Sequence, residues 1–250
     1  MPPVPQVKRV SQRVFGSVTP HVPVAVKRPL KRALPRRYWR YVDPDWHRKA
    51  IGLPWAELGQ LQFDFLVARG LKPEHYLLDV GCGPLRAGVH FIRYLEAGHY
   101  YGIDLHAELL AAGRDVELPR HGLVDKRPVL TVMADFDFRK LDRQFDFALA
   151  QSVFTHLPLN HIIRCLMRME EALAPGGQFY ATIYENAKGK RNLDPVEQKP
   201  GLWTHFDEDF FHYDFATFEW ICEGTKLRPE YVGDWQNPRN QKMLVFTKSE

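Results

Sequence analysis

The chain has 250 residues, 45% of them hydrophobic and 13% aromatic, with a formal net charge of +4. That composition supports a sizeable core and excludes a disordered chain, while no apolar run approaches the about 18–20 residues of a bilayer span and no secretory leader is expected. Cys82, Cys165 and Cys222 are too scattered for a zinc site or a disulfide framework, so a reducing cytoplasm is the expected home.

Residues 1–40 hold ten Lys or Arg, no acid and seven prolines, which predicts a basic, flexible arm. Such an arm reads either as a solvated, unstructured tail or as a peripheral contact with an anionic membrane face, where each basic group contributes about 1 kcal/mol, with a nucleic-acid tether or an organelle transit peptide as further alternatives. Val10, Val14, Phe15, Leu30 and Leu34 could sit at that interface. Residues 41–250 are expected to form one domain with an insert at about 186–213. They carry 24 basic against 30 acidic side chains, a net of −6. A mildly acidic body does not suit a phosphate backbone, so no nucleic-acid partner is expected.

In chain order, Trp55, Leu58, Leu61, Phe65 and Leu66 share one face of a helix predicted over 54–69. Strand 76–80 follows, then a glycine turn and a helix over 86–96. Strand 100–103 leads to a helix over 108–118, and strands are expected at 129–133 and 145–150. The helix over 160–173 carries an apolar stripe of Ile162, Ile163, Leu166, Met169 and Leu173, which reads as core. Strand 178–184 precedes a polar loop at 186–201. A helix over 215–223 then leads to strands at 231–235 and 242–247. The turn Asn237-Pro238-Arg239-Asn240 joins these last two closely enough that they must run antiparallel.

The chemistry concentrates where the first strand ends, in Asp79-Val80-Gly81-Cys82-Gly83-Pro84. A strand, a glycine turn and a helix are what a doubly wound sheet uses to hold a nucleotide-like ligand at its first strand. A second acid, Asp104, ends the next strand 23 positions after Gly81, close to the about 20 expected of a ribose-binding carboxylate. With Asp135, the segment from Phe145 to Leu157 and the turn Leu173-Ala174-Pro175-Gly176-Gly177, this order of pieces resembles the class I S-adenosylmethionine (SAM) methyltransferases.

The resemblance implies a doubly wound, seven-stranded, mostly parallel α/β sheet with an antiparallel last strand, and SAM as cofactor. It implies that Asp104, with Leu105, binds ribose and that Asp135 or the Phe136 amide reads adenine. Asp79, Gly81, Cys82 and Gly83 would hold the amino-acid end, and Gln151 and Ser152 the methyl-side mouth. Leu85 replaces the family's frequent third glycine, and a leucine there is expected to crowd a pyrophosphate-bearing dinucleotide. The implied acceptor is a small molecule or glycan, above all a hydroxyl of a sugar or lipid-linked sugar. The alternatives are N- or O-methylation of another metabolite, or a non-catalytic SAM-binding regulator.

An attacking alcohol must lose a proton, for which imidazole is the natural helper. His156, after the fourth strand, is the first candidate for that base and His212 the second. A metal site from His205, Asp207, Asp209 and His212 matches no ligand spacing, so no metal is expected. The surrounding aromatics, Trp203, Phe206, Phe210, Phe211, Tyr213, Phe215, Phe218 and Trp220, read mostly as lid and core.

Overall fold

The computed structural model describes residues 43–52, 54–186, 191 and 193–250. The arm expected over 1–40 lies outside them, as does part of the insert. The chain divides into two compact units, Met1–Leu53 and Pro54–Glu250. In the first, helix α1 (Trp46–Ala50) lies beside Asp43, whose carboxylate accepts from Lys49 Nζ at 2.7 Å and from the Asp45 amide at 3.1 Å.

The second unit is built on strands β1 (Leu77–Val80), β2 (Tyr100–Asp104), β3 (Val129–Val132), β4 (Phe145–Ala150) and β5 (Leu173–Glu185). They are followed by β6 (Val196–Lys199), β7 (Leu202–Thr204), β8 (His212–Tyr213), β9 (Leu227–Asp234) and β10 (Lys242–Lys248). Seven strands line up as β3-β2-β1-β4-β5-β10-β9, and β8 pairs with the end of β5. Pairing is parallel from β3 to β5, whereas β10 runs antiparallel to both β5 and β9. This is the class I methyltransferase fold. Strand order reverses between β1 and β4, which opens a crevice beyond their carboxyl ends.

Helices α2 (Trp55–Ala68), α3 (Gly88–Tyr94), α4 (Ala107–Ala112), α5 (Leu159–Ala172) and α6 (Phe215–Cys222) flank the sheet. Strand residues alternate between its two faces, as a pleat requires. Val80, Ala148, Ala181 and Leu244 join Ile162, Leu166, Met169 and Phe218 in one core. Leu77, Leu149, Tyr180 and Val245 join Leu66, Val89, Phe91 and Leu110 in the other. Helices on both faces bury β1 along its whole length, which is why it reads as a near-continuous apolar run. The apolar stripe of α5 is core as expected, and burying a side chain such as Leu166 contributes about 1.5–3 kcal/mol.

The local differences from the sequence reading have physical causes. The polar stretch 186–201 is not all loop, because β6 and β7 form a hairpin. Its turn carries Pro200 and Gly201, the latter at φ +78°, a pairing suited to a tight reversal. Strand β9 begins at Leu227, four residues before the predicted start. It contains Pro229, which disguises the strand yet is tolerated because β9 lies at the sheet edge. Strand β5 begins at Leu173, and a register shift between Phe145 and Phe147 of β4 absorbs the Pro175-Gly176-Gly177 segment. The run from α4 continues through a π turn (Gly113–Glu117) and a final α turn (Leu118–Arg120).

Candidate functional site

The glycine loop is stitched to the end of β2. The Gly81 and Cys82 amides both donate to the Ile103 carbonyl, at 2.8 and 3.0 Å. Gly81 sits at φ +73°, where a side chain is strained, and a Cβ on it would fall 2.6 Å from Val153 Cγ2. Asp104 closes the loop from the other side. Its Oδ2 accepts from the Gly83 amide at 2.9 Å and its Oδ1 from the His106 amide at 2.8 Å. Each oxygen keeps a lone pair, so the carboxylate can still accept from a vicinal diol.

Asp79 lies opposite Gly102 in the β1–β2 register and accepts from the Tyr100 hydroxyl at 2.7 Å. Burial pushes its carboxyl up to about 7; the Tyr100 hydrogen bond and Arg86 oppose that rise, and the Asp104 charge adds to it. The two acids therefore sit at the same end of neighbouring parallel strands and sense each other. Burial likewise raises the Cys82 thiol and the Tyr100 hydroxyl, so this end of β1 resists carrying negative charge.

Leu105 is 61% exposed just beyond Asp104, and Val132 is exposed at the end of β3. Asp135 is on the surface, paired with Lys140 Nζ at 2.7 Å and accepting from the Asp137 amide, contacts that hold its carboxyl below its usual range. Phe136 is buried at φ +56°, with its ring edge-on to Phe138.

Leu85 corrects one expectation. It is fully buried at φ +69°, and a Cβ on Gly88 or Gly113 would lie 2.8 Å from its side chain. The leucine is directed into the packing between α3 and the π turn, where those two glycines leave room. Crowding of a dinucleotide by its side chain is therefore not a property of the crevice.

Beyond β4, Gln151 and Ser152 enter a buried polar network. Arg86 Nη2 donates to Gln151 Oε1 at 2.8 Å, and Gln151 Nε2 donates to Gln241 Oε1 at 3.2 Å. Gln241 also accepts from the Thr182 hydroxyl at 3.0 Å and donates to Ser152 Oγ at 2.8 Å. Ser152 holds φ +60°, a costly backbone state for a serine, secured by its amide bond to Thr182 Oγ1 at 2.7 Å.

His156 ends the loop after β4. Its Nδ1 lies 2.8 Å from Asp209 Oδ1, and its ring tilts against Phe210 with centroids 4.8 Å apart. A carboxylate only accepts, so Nδ1 carries the proton and Nε2 is left as the basic nitrogen. Phe210 in turn packs edge-on to Tyr184, whose hydroxyl is raised by burial and senses Arg239 and Asp209.

His212 is placed differently. It is buried, and its Nδ1 lies 2.9 Å from the Thr204 hydroxyl of the β6–β7 hairpin. His205 faces Glu208 at 3.7 Å. Among the described residues no three His, Cys, Asp or Glu side chains converge as a metal site. Of the aromatics, Phe211, Tyr213 and Phe218 are core, whereas Trp203, Phe206 and Trp220 are exposed.

Arg86, Thr182, Tyr184 and Gln241 were not singled out from the sequence. Gln241 did leave a trace: it is a lone amide just ahead of the apolar run Met243-Leu244-Val245-Phe246.

Residues 78–179 match a family model described as "Methyltransferase domain". The chain is 29% identical over 116 residues to a probable methyltransferase, ltbC, of Aspergillus luteorubrus, a match covering 43% of this chain and 39% of that protein. It is 27% identical over 122 residues to phosphoethanolamine N-methyltransferase 2 of Caenorhabditis elegans, covering 48% of this chain and 26% of that protein. The match thus spans well under half the length of either relative. In structure it is similar to magnesium protoporphyrin IX methyltransferase of Synechocystis PCC 6803 with bound SAM, with a TM-score of 0.56 at 14% identity. That likeness covers 89% of this chain and 97% of the other, and it concerns the fold.

Proposed function

The chain carries a class I methyltransferase domain, and on that premise we propose that the protein is a SAM-dependent methyltransferase acting on a small-molecule acceptor. The bound donor would supply a methyl already activated on a sulfonium. The residues of the chain have to orient the acceptor, exclude water and take up a proton. Orientation alone can supply about 7–11 kcal/mol of such a barrier.

In this reading Asp104 takes the ribose hydroxyls, with Leu105 beside them, and Asp135 and Phe136 border the adenine. Asp79 and the Gly81-Cys82-Gly83 turn hold the amino-acid end, while Gln151 and Ser152 line the methyl side. His156 Nε2 receives the acceptor's proton, and Asp209 orients the ring through Nδ1. His212, bonded within the hairpin, shapes the wall of the acceptor side.

The observation that carries the reading is the Asp104 bridge between the Gly83 and His106 amides, a carboxylate with spare lone pairs at the end of β2, beside the β1–β4 crevice. Titration calorimetry with SAM and S-adenosylhomocysteine tests it. Asp104→Ala removes charge-assisted hydrogen bonds and should weaken binding at least about tenfold in a protein that still melts cooperatively. Unchanged affinity would refute the assignment.

For the acceptor, the reading favours a hydroxyl of a sugar or lipid-linked glycan. The paired His156 base and the exposed Trp203 and Phe206 beside Asp207 and Glu208 support it. Mass spectrometry of glycans and lipids from cells with and without the protein should reveal species differing by one methylene. The likeness to a phosphoethanolamine N-methyltransferase supports a nitrogen acceptor as the rival, and the same comparison of cell extracts separates them. Residues 1–40 are assigned to peripheral membrane contact. Deleting them should leave activity on a soluble acceptor intact while abolishing sedimentation with anionic vesicles.

A further inference from the structure

Arg86 is the only Lys or Arg buried among the described residues, at 7% exposure. Its Nη2 donates to Gln151, but Nε and Nη1 have no hydrogen-bond partner, and no carboxylate forms an ion pair with it. Those two nitrogens carry three N–H groups. A buried cation with unsatisfied donors is costly unless something else completes it. Burial already pulls its guanidinium down to about 10, Arg239 acts in the same direction, and only Asp79 opposes them. The fold thus holds a buried guanidinium whose remaining donors no described group completes.

The position of Arg86 says where that anion comes from. It follows the glycine turn by three residues and is tied through Gln151 to Gln241 and Ser152. Tyr184 nearby senses both Arg239 and Asp209, the partner of His156. The orphaned donors therefore lie in the network connecting the donor half of the site to the acceptor half. A guanidinium N–H without a partner is a charge-assisted donor suited to an oxygen of a carboxylate or phosphate.

We propose that Arg86 forms an anion-recognition site that donates from Nε or Nη1 to an oxygen of a carboxylate or phosphate. The anionic group belongs either to the amino-acid end of the methyl donor or to the acceptor. This rests on the placement of the donor at the β1–β4 crevice given above.

Calorimetry on the full chain distinguishes the sources, using wild type, Arg86→Gln and Arg86→Lys. The probes are S-adenosylhomocysteine, methylthioadenosine (the same nucleoside without the carboxylate) and inorganic phosphate. If the anion is the donor's, Arg86→Gln should lose at least about tenfold in affinity for S-adenosylhomocysteine and none for methylthioadenosine, with Arg86→Lys recovering part of the loss. If it is the acceptor's, nucleoside affinities stay level, but wild type binds phosphate and Arg86→Gln does not. A variant that weakens both nucleosides equally overturns the proposal by showing a purely structural role. So does wild type that binds no phosphate together with Arg86→Gln that keeps full affinity for S-adenosylhomocysteine. Should Arg86→Gln fail to fold, wild type and Arg86→Lys carry the comparison: phosphate binding or a selective S-adenosylhomocysteine loss supports the site, and neither refutes it. If wild type binds neither nucleoside, the donor reading fails by itself, and the phosphate arm still decides for or against Arg86.

Discussion

Replacing Asp79 with asparagine should make the ligand-free protein more stable, and increasingly so as pH rises. The carboxyl is raised from its ordinary 3.8 to about 7, chiefly by burial. The folded state therefore holds a proton that the unfolded state has released across that window. Stability attributable to Asp79 falls as pH climbs through it, because the folded form binds more protons than the unfolded one. A shift of this size corresponds to about 4 kcal/mol of destabilisation above about pH 7, against about 2 kcal/mol at about pH 5. Asparagine keeps a side-chain oxygen for the Tyr100 hydroxyl and cannot ionise. Urea unfolding of both proteins at about pH 5 and about pH 8 should show the variant gaining about 2–3 kcal/mol on wild type between the two. A difference independent of pH would mean that Asp79 ionises freely in the fold, and the account of a buried, charge-averse strand end would fall. The same residue links to the donor, since a bound sulfonium or ammonium near Asp79 would favour its ionised form. Wild type should then release protons on binding near neutral pH, and Asp79→Asn should not.

His156→Ala should lower turnover by about 10²–10⁴-fold with little change in affinity for S-adenosylhomocysteine, and Asp209→Asn should do the same more mildly by releasing the ring. Equal loss of turnover and nucleoside affinity in steady-state and binding assays would deny His156 the role of base. Gln241→Leu strands the Ser152 hydroxyl and Gln151 amide contacts and should cost about 1–3 kcal/mol in chemical denaturation, although Gln241 is in no expected donor contact. Gly113→Ala would place a Cβ 2.8 Å from Leu85 Cγ and should cost about 1–3 kcal/mol. Leu85→Ala in the same chain should be less harmful than the sum of the two single changes, a coupling that a double-mutant cycle reads directly.

The half of the site proposed for the donor was legible in the sequence as a constellation because it is local. Asp79, the glycine turn and Asp104 lie on one strand–turn–helix–strand unit, and each carries a signal that short-range geometry imposes: an acid closing an apolar run, or a glycine at positive φ. The mostly parallel sheet was implied by the family resemblance, and the antiparallel pairing of β9 with β10 followed from a connection too short for a crossover. The acceptor half had no comparable signal. Arg86 meets Gln151 across 65 positions, Gln151 meets Gln241 across 90, and His156 meets Asp209 across 53. Pairings that distant obey no period. The hairpin was hidden by polar residues and prolines, and Leu85 read as a crevice residue because its position, not its packing, was visible. The asymmetry has a consequence for how such a site can change. In the proposed reading the loop after β4, the segment around 205–213 and the turn before β10 build the acceptor side, while β1, β2 and the glycine turn build the donor side. Substitutions in the former can alter which molecule is accepted without disturbing the bonds of Asp79 and Asp104. The exception is Arg86, which follows the glycine turn and is tied through Gln151 to Gln241, so in the same reading a change there should be felt on both sides at once.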